Sequence, residues 1–475
     1  MTEARAELDD LDALERAVAL NPQSPAAYRE LAAAQLALAR PFEALASCDR
    51  AIALDAGSAE AYRIRGDVLV HLKFSQNALT VLDRALTLDP DLANAHRSRA
   101  IALLALNRVE EALASCERAL ALQSDFAEAH ETAGTTALVG HRFGEALARY
   151  DAAIALDPSL ASAHFNKALC LLQTGEFEQG FRAYEWRKKL RRPVAVRDYA
   201  EPLWSGEQSI AGKTLFIHWE QGLGDTIQFY RYAKLAAARG ARVVLSAQDP
   251  LIDLLQAADR GIQIIGPTDK PASFDFHCPL MSLPLAFGTT PTTIPAERRY
   301  LFSDQGTRAA WASRLRPSAR PKIGLVWSGG HRHANDHNRS IALERLVPLF
   351  SDDVDWVCLQ KELIAKDVGL LRQLGRVAFY GDEVRDFTDT AALIDLTDLV
   401  ITVDTSAAHL AGAMGKPVFI LLPYTSDWRW LLDRDDSPWY ASARLYRQQK
   451  PGDWTSVIEQ VKTDVRAASA RTTRR

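Results

Sequence analysis

The segment that follows the apolar stretch 399–403 contains the residue types of an anion-binding site. Asp404, Thr405 and Ser406 come directly after that stretch, and His409 follows within one helical turn. The apolar stretch predicts a buried strand, and the small residues after it predict a helix. Free amides and hydroxyls at a helix N-terminus bind anions. The segment therefore predicts a phosphate site that includes His409, with a histidine held in the core as the alternative.

A second loop contains two glycines and an acid. Gly222, Gly224 and Asp225 follow an apolar stretch and precede a helical one. Glycine lets a ligand approach the backbone closely, and the dipole at a helix N-terminus favours an ionised carboxylate. Asp225 is therefore a candidate for acid–base chemistry, with simple helix capping as the alternative. Gln221 in the same loop and Gln228 one turn later are candidates for the same cleft.

A third loop, residues 328–340, is basic and rich in amide and histidine side chains. Arg339 precedes the next helix, where a guanidinium can hold a phosphate by two parallel hydrogen bonds. His331, His333 and His337 have a spacing that matches no standard set of metal ligands. The loop therefore predicts an anion clamp built on Arg339. A metal site and an exposed loop are the alternatives.

These loops need a scaffold that brings them together, and the C-terminal sequence predicts one. Short apolar segments alternate with helical ones, which is typical of parallel sheets covered by helices. Ligands of such sheets bind at the carboxyl ends of the strands, where all three loops lie. The expected strands are 214–219, 242–246, 262–265, 322–327, 356–359, 377–380, 399–403 and 418–422.

Taken together, the motifs resemble the heptosyltransferase family (glycosyltransferase family 9) and, more widely, GT-B glycosyltransferases. The resemblance covers residues 213–460 and is carried by Gly222, Gly224, Asp225, Asp404, Thr405, His409, Gly415 and Pro417. It implies a nucleotide-sugar donor in the C-terminal half, no cofactor and an inverting reaction. It also implies that Asp225 is the general base. The donor-binding residues that follow from it are Gly222, Gly224, Arg339, Asp404, Thr405, Ser406 and His409. We expect these fixed groups to hold the phosphates without a metal.

The N-terminal part of the chain repeats at an interval of 34 residues. Equivalent segments end at Pro22, Ala56, Pro90, Ser124 and Pro158, and a small residue recurs at Ala32, Gly66, Ala100, Gly134 and Ala168. The pattern resembles the tetratricopeptide repeat (TPR), with a half-repeat and then five repeats. The resemblance implies an all-α superhelix whose groove binds a protein or peptide. A stack that only scaffolds the chain is the alternative.

Several side chains outside the motifs receive structural interpretations. His96, His130 and His164 share one repeat position, and Cys48 and Cys116 share another, so we expect them to pack in the repeats. We expect the basic run 187–192 to be a solvated face or the end of a linker helix, with a role against an acidic partner as the alternative. We expect Arg231 to lie at the surface.

The expected architecture is a TPR superhelix followed by an α/β GT-B fold of two Rossmann-like halves. The predicted limits are 1–192 for the repeats, 193–212 for a linker, 213–320 for the acceptor half and 321–475 for the donor half. Repeats joined to a GT-B unit resemble protein O-GlcNAc transferases and bacterial TPR glycosyltransferases that modify flagellin and other proteins. The acceptor expected from this resemblance is a Ser or Thr hydroxyl of a protein, with flagellin or another surface protein as the partner.

Composition narrows the function further. Lysine and arginine number 56 against 60 acids, which argues against a polybasic nucleic-acid binder. No apolar run is long enough to span a membrane, and the acidic start and scattered cysteines indicate a cytoplasmic protein. Two other functions are open: transfer to a glycan or lipid with the repeats for localisation, and a non-catalytic TPR scaffold with a vestigial GT-B domain.

Overall fold

The computed structural model describes residues 2–190, 197, 199–295, 297–330 and 335–472. The chain forms two compact units, Met1–Cys170 and Leu171–Arg475. The last helix of the repeat pattern, Phe177–Tyr184, therefore falls in the second unit together with the sheets.

The first unit consists of helices that follow one another in pairs, which is the repeat unit expected from the sequence. The helices are α1 (Thr2–Leu20), α2 (Pro25–Ala37), α3 (Pro41–Leu54), α4 (Ala59–His71), α5 (Ser75–Leu88), α6 (Ala93–Ala105), α7 (Val109–Leu122), α8 (Ala127–Val139), α9 (Phe143–Leu156) and α10 (Ala161–Gln173). In the second unit, α11 (Phe177–Tyr184) completes the last pair and continues into the short 3₁₀ helix Glu185–Lys189.

The turn inside each helix pair has the same backbone geometry. Ala39, Lys73, Asn107 and His141 have φ values between 57° and 67°, and Gly175 has a φ of 88°. These positions are one repeat interval apart. Because a residue with a left-handed conformation ends a helix and reverses the chain, the turn is part of the repeat.

Small residues let the paired helices approach each other. A Cβ at Gly66 would lie 2.5 Å from Cγ of Leu82, and one at Gly134 would lie 2.7 Å from Cε1 of Tyr150. Leu82 and Tyr150 are fully buried, and Cys48 and Cys116 occupy the equivalent positions in the alternate repeats. The predicted packing role of these two cysteines is confirmed.

The three histidines that share a repeat position connect a helix to the turn before it. Nε2 of His96, His130 and His164 lies 2.9, 3.1 and 3.0 Å from the carbonyl oxygen six residues earlier. Their role in the described structure is thus local to the repeat, as the sequence predicts.

We expect Gly134→Val to lower the free energy of unfolding by about 2–3 kcal/mol, because the new side chain overlaps the buried ring of Tyr150. Gly144→Val is the matched control, since Gly144 lies in the paired helix with nothing within 4 Å of a Cβ. Thermal unfolding followed by circular dichroism measures both variants. Equal melting temperatures for the two would contradict the close approach of α8 and α9.

The second unit contains two parallel sheets. Within the described residues, one sheet consists of β1 (Thr214–His218), β2 (Arg242–Ser246), β3 (Ile262–Ile265) and β4 (Phe276–Pro279), in the order β3-β2-β1-β4. The other consists of β5 (Lys322–Val326), β6 (Asp355–Cys358), β7 (Val377–Ala378), β8 (Leu399–Val403), β9 (Val418–Leu422) and β10 (Ala443–Arg447), in the order β10-β9-β8-β5-β6-β7. Ile217 is in register with Leu245 and Cys278, and Leu325 with Ile401.

Helices connect the strands, as expected for parallel pairing. The helices between the strands are α12 (Leu223–Ala238), α13 (Ile252–Ala258), α14 (Leu283–Ala286), α15 (Gln305–Arg314), α16 (Asp336–Arg339), α17 (Leu343–Leu346), α18 (Ala365–Leu374), α19 (Phe387–Asp395) and α20 (Ser406–Ala413). A last helix, α21 (Trp454–Thr472), follows β10. The predicted TPR and α/β architecture is confirmed. The predicted domain limits stay predictions.

Two strands, β4 and β10, and the location of Arg187 differ from the sequence predictions. The sequence did not indicate β4 and β10, because both are edge strands and carry polar residues or proline, which weaken the apolar signal. The predicted solvated face is wrong at Arg187. That side chain is 1% exposed, because its guanidinium bonds both carboxylate oxygens of Glu220, at 2.7 and 3.1 Å. Residues 191 and 192 of the run lie outside the described residues, as do residues 193–196 and 198 of the predicted linker.

Candidate functional site

The first two predicted loops meet at the carboxyl ends of β1 and β8. Helix α12 begins after the loop that follows β1, and α20 begins after the loop that follows β8. A Cβ at Gly224 would lie 2.7 Å from Cδ2 of His409 and 3.5 Å from Cα of Ser406. Only glycine fits between these atoms without displacing the other helix. The sheets thus bring the glycine loop and the Asp404–His409 segment into direct contact.

Asp225 is held by one hydrogen bond from its own loop and one ion pair. It lies three residues into the helix that Gly222 caps, and its Oδ2 accepts from the Gly222 amide at 2.7 Å. Its Oδ1 lies 2.5 Å from Nη2 of Arg429, and the side chain is 18% exposed. Burial raises the pKa of Asp225, and Arg429 opposes the rise. Asp225 thus contributes to capping and also lies at a charged cluster.

Arg429 is a site residue that the sequence analysis missed. It lies in the loop after β9, and its side chain is 8% exposed. Nη1 donates to Oδ1 of Asp427 at 2.9 Å, and Nε donates to Oε1 of Gln228 at 2.8 Å. Burial works against the charged guanidinium, but Asp427 and Asp225 outweigh it and raise the pKa of Arg429.

A signal for this residue was available in the sequence. Asp427 and Arg429 stand among tryptophans, five and seven residues after the buried strand β9 ends at Leu422. A charged pair in an aromatic segment at the carboxyl end of a parallel strand is a candidate for a ligand site. The three motif-bearing loops do not include that segment.

Arg339 lies beside the Asp404 segment but is not free. Its Nη1 donates to the carbonyl oxygen of Asp404 at 2.8 Å, and its Nε lies 3.4 Å from Oδ1 of Asp336. The structure therefore places a guanidinium next to the start of α20, where the sequence predicted an anion clamp. Phosphate binding by Arg339 stays a prediction.

The carboxyl group of Asp404 is less acidic than an ordinary aspartate. Burial and the nearby charge of Asp427 raise its pKa to about 6, and Trp430, Arg339 and Arg429 oppose the rise. Burial acts in the same direction on Asp427, but Arg429 outweighs it and the pKa of Asp427 falls. The two neighbouring carboxylates thus have pKa values shifted in opposite directions.

Thr405 and Ser406 form the start of α20. Thr405 is the N-cap residue, and its Oγ1 lies 3.2 Å from Oγ1 of Thr402. Ser406 is the first residue of the helix. The first amides of a helix have no partner within the helix, so this end retains the donors that an anion needs.

His409 is enclosed at the same helix start. Its Nδ1 lies 3.0 Å from the Tyr440 hydroxyl, and its ring stacks on Trp430 with centroids 5.4 Å apart. Burial and the charge of Arg429 lower its pKa to about 3. His409 is therefore a neutral ring at pH 7, and any contact that it makes with an anion comes from a neutral group.

The two glutamines are not equivalent. Gln228 is fully buried and bonds Arg429, so it belongs to the charged cluster. Gln221 bonds instead to the Tyr184 hydroxyl of α11, with Nε2 at 2.9 Å. The structure thus brings Gln228 to Asp225 through Arg429, and it connects Gln221 to α11.

The surface location expected for Arg231 is wrong. Arg231 is 3% exposed, and its guanidinium donates to the carbonyl oxygens of Pro295 and Trp439 and to the Tyr300 hydroxyl. Aromatic rings cover it, with the Tyr300 centroid 4.8 Å away. The sequence could not predict this burial, because these partners of Arg231 are at least 64 positions away in the chain.

Two of the three histidines considered for a metal site lie outside the described residues. His331 and His333 lie outside the described residues, and His337 is in α16. Among the residues that are described, no group of three or more His, Cys, Asp or Glu side chains is arranged to hold a metal ion.

Family comparisons agree with both parts of the architecture. Residues 37–93, 65–125 and 132–185 match the tetratricopeptide repeat model. Residues 385–455 match the model of glycosyltransferase family 9 (heptosyltransferase). The chain thus combines TPR repeats with a segment that matches glycosyltransferase family 9. The matched segment contains Asp404, His409 and Arg429, whereas Asp225 lies outside it.

Similar proteins are known from sequence and from structure. Protein FlbA of Caulobacter vibrioides is 27% identical over 333 residues, which are 64% of this chain and 55% of FlbA. The match thus spans little more than half the length of that relative. TTC0263, a TPR protein of Thermus thermophilus, is 29% identical, with a TM-score of 0.33 over 34% of this chain and 89% of its own. YrrB, described as a TPR protein with an unusual peptide-binding site, is 23% identical, with a TM-score of 0.28 over 39% of this chain and 95% of its own.

The described helices do not meet the requirements of a membrane span. None of them combines the length and the apolar character that crossing a bilayer requires.

We expect Asp404→Asn to stabilise the protein more at pH 8 than at pH 5. In the folded state the pKa of Asp404 is raised from 3.8 to about 6, so the folded chain binds more protons and loses stability as pH rises through this window. Asparagine carries no such charge. Melting temperatures of variant and wild type at both pH values measure the effect.

Asp427→Asn is the matched control for this prediction. Its pKa is lowered, so its ionised form stabilises the fold and the substitution should lower the melting temperature at pH 8. An Asp404→Asn effect that is the same at pH 5 and pH 8 would contradict the raised pKa.

Proposed function

We propose that this protein is a glycosyltransferase of GT-B architecture that moves a sugar from a nucleotide-sugar donor to a Ser or Thr hydroxyl of a protein. One observation carries the proposal. The helix start at Asp404–His409, inside the segment that matches glycosyltransferase family 9, contacts the glycine loop that carries Asp225. The two sheets would form the two halves of the GT-B unit, and the site lies where their loops meet.

In the proposed reaction the acceptor hydroxyl attacks the anomeric carbon of the donor sugar. The bond from that carbon to the phosphate oxygen breaks. The nucleoside diphosphate, or the monophosphate of a CMP-linked donor, leaves with the bonding electrons. Asp225 takes the proton of the hydroxyl, which accelerates such reactions by about 10²–10⁴-fold. A single displacement of this kind inverts the anomeric configuration.

The leaving diphosphate would be held at the start of α20. Amides at a helix N-terminus favour negative charge, and Arg339 lies beside them. Gly224 lets the glycine loop lie directly against this helix start. The backbone of Gly222 and Gly224 would contact the donor there, and His409 contributes as a neutral ring. These fixed groups support the proposal that no metal and no cofactor takes part, so EDTA should leave the rate unchanged.

The repeats support a protein acceptor, because TPR stacks bind proteins and peptides in their groove. Flagellin or another surface protein is the partner that the architecture suggests. The buried cysteines fit a reducing compartment, and we propose that the reaction takes place in the cytoplasm.

We expect Asp225→Asn to lower transfer by at least about 10²-fold while donor binding is kept, because the amide cannot accept the proton. A panel of UDP-, GDP-, ADP- and CMP-linked sugars first identifies the donor by its thermal shift. Release of the nucleotide then gives the rate, and the thermal shift of the variant gives its donor binding.

Asp253→Asn is the control for this substitution, since Asp253 is an exposed acid on α13. Wild-type turnover by Asp225→Asn would reject Asp225 as the base. If no donor in the panel raises the melting temperature of the wild type, the result favours the non-catalytic scaffold.

We expect proteins captured by the Asp225→Asn chain to gain the mass of one or more sugars when wild-type enzyme and donor are added. The inactive variant retains the repeats and so should hold the acceptor without converting it. Intact-mass spectrometry of the captured proteins reads the change. If the protein masses are unchanged and a glycan or lipid fraction gains sugar, the acceptor is a glycan or lipid and the proposed protein acceptor is rejected.

A further inference from the structure

The buried guanidinium of Arg429 lies where the two sheets meet, and the role inferred for it rests on the proposed function. Arg429 comes from the loop after β9, whereas Asp225 comes from α12, which follows β1. The ion pair between them, 2.5 Å long, therefore joins the carboxyl ends of the two sheets. A guanidinium that is 8% exposed needs charged partners, because burial of an unpaired ion costs several kcal/mol.

Every edge of this guanidinium has a partner that fixes its orientation. Asp427 binds both Nη1 and the backbone amide of Arg429, each at 2.9 Å, and Gln228 binds Nε at 2.8 Å. The ring of Trp428 lies 4.4 Å from the guanidinium carbon. These contacts hold the guanidinium so that Nη2 faces Asp225.

The loop that carries Arg429 is in turn packed against α11. The rings of Phe181 and Tyr184 lie 5.7 and 6.3 Å from the Trp428 ring. Nε2 of Gln173, at the end of α10, donates to the carbonyl oxygen of Ser426 at 3.3 Å. The end of the repeat pattern thus supports the loop from which Arg429 reaches Asp225.

We propose that Arg429 is the positioning residue of the transfer reaction, which orients the Asp225 carboxylate and keeps it ionised for proton abstraction. Asp225 has one other bond among the described residues, from the Gly222 amide to Oδ2. Without the guanidinium, its second oxygen would have no fixed partner, and the buried carboxyl would hold its proton to a higher pH.

The other groups that face Asp225 do not replace this charge. Asp427 and Glu220 both raise its pKa, since like charges disfavour ionisation. Tyr184 of α11 is neutral at pH 7 because burial raises its pKa to about 12, and His409 of α20 is neutral because its pKa is lowered to about 3. Arg429 is therefore the cation in direct contact with the proposed base.

The test compares Arg429→Gln, Arg429→Lys and the control Arg434→Gln, whose guanidinium pairs with Asp436 in the same region. The donor is the nucleotide sugar that the wild type turns over in the panel, and nucleotide release is followed from pH 5 to pH 9. We expect Arg429→Gln to move the acid limb of kcat/KM up by about one to three pH units, the effect of an opposite charge at this distance. On that acid limb kcat/KM should fall about 10-fold or more, since a shift of one unit is a factor of about ten there. It should recover toward pH 9, and the donor KM should stay within about threefold.

The Arg429→Lys variant separates the effect of the positive charge from the effect of the guanidinium's hydrogen-bond geometry. It keeps the cation, so its acid limb should stay near that of the wild type, while kcat falls because a lysine cannot bond Asp225, Asp427 and Gln228 together. Arg434→Gln should leave the whole profile unchanged. An unshifted acid limb in Arg429→Gln overturns the proposal, and so does a raised donor KM with an unchanged kcat, which would make Arg429 a donor-binding residue.

A second measurement needs no turnover. If the pair exists as described, Asp225→Asn should cost less thermal stability in the Arg429→Gln background than in the wild type, since the buried carboxylate has already lost its partner. Additive changes in melting temperature overturn the pairing. A wild type that transfers none of the sugars rejects the proposed function and this catalytic role with it, whereas a failure of Arg429 alone leaves the Asp225→Asn result standing.

Discussion

The buried guanidinium of Arg429 constrains how the two sheets of the second unit can be arranged. Arg429 lies out of water, and it is stabilised only if carboxylates reach it from both sides. Asp427 does so from its own loop, and Asp225 does so from the helix that follows the other sheet. The two sheets must therefore be held in one arrangement for this charge to be tolerated. The loops that carry the proposed chemistry are fixed by the same requirement.

The second constraint is that pairs of helices approach each other closely. In both units a glycine at the contact makes this possible. In the repeats, Gly134 makes room for the ring of Tyr150, and in the second unit Gly224 makes room for the ring of His409. In each case a glycine on one helix faces a large buried side chain on another. A helix pair closes to the distance that its smallest contact residue allows. The same kind of contact thus supports packing in one unit and brings two loops together in the other.

The sequence predicted the features that depend on local pattern. The repeats are recognisable from residues that recur at a fixed interval, and the strands from short apolar runs. The TPR and α/β parts could therefore be recognised. Arg187, Arg231 and Arg429 show where this reasoning fails. Arg187 and Arg231 have the sequence context of ordinary basic residues, and Arg429 differs only by its aromatic neighbours. Each is buried because carboxylates, carbonyls or aromatic rings distant in the chain surround it. Asp225 could be selected from its glycine loop, whereas its partner depends on how two sheets pack, which no short motif contains.

The charge at the site limits how a diphosphate can be bound there. Asp225, Asp404 and Asp427 already supply three carboxylates, and the guanidinium groups of Arg339 and Arg429 are engaged with protein oxygens. In the proposed function a further anion would be held by the amides of Ser406 and Ala407 at the start of α20, because Ala408 already donates to the Thr405 carbonyl oxygen. Protonation of Asp404, whose pKa is raised to about 6, removes one of the competing charges. In the proposed function the phosphate would thus depend mainly on the helix start, with Arg339 beside it, and it would require no excess of basic residues in the chain.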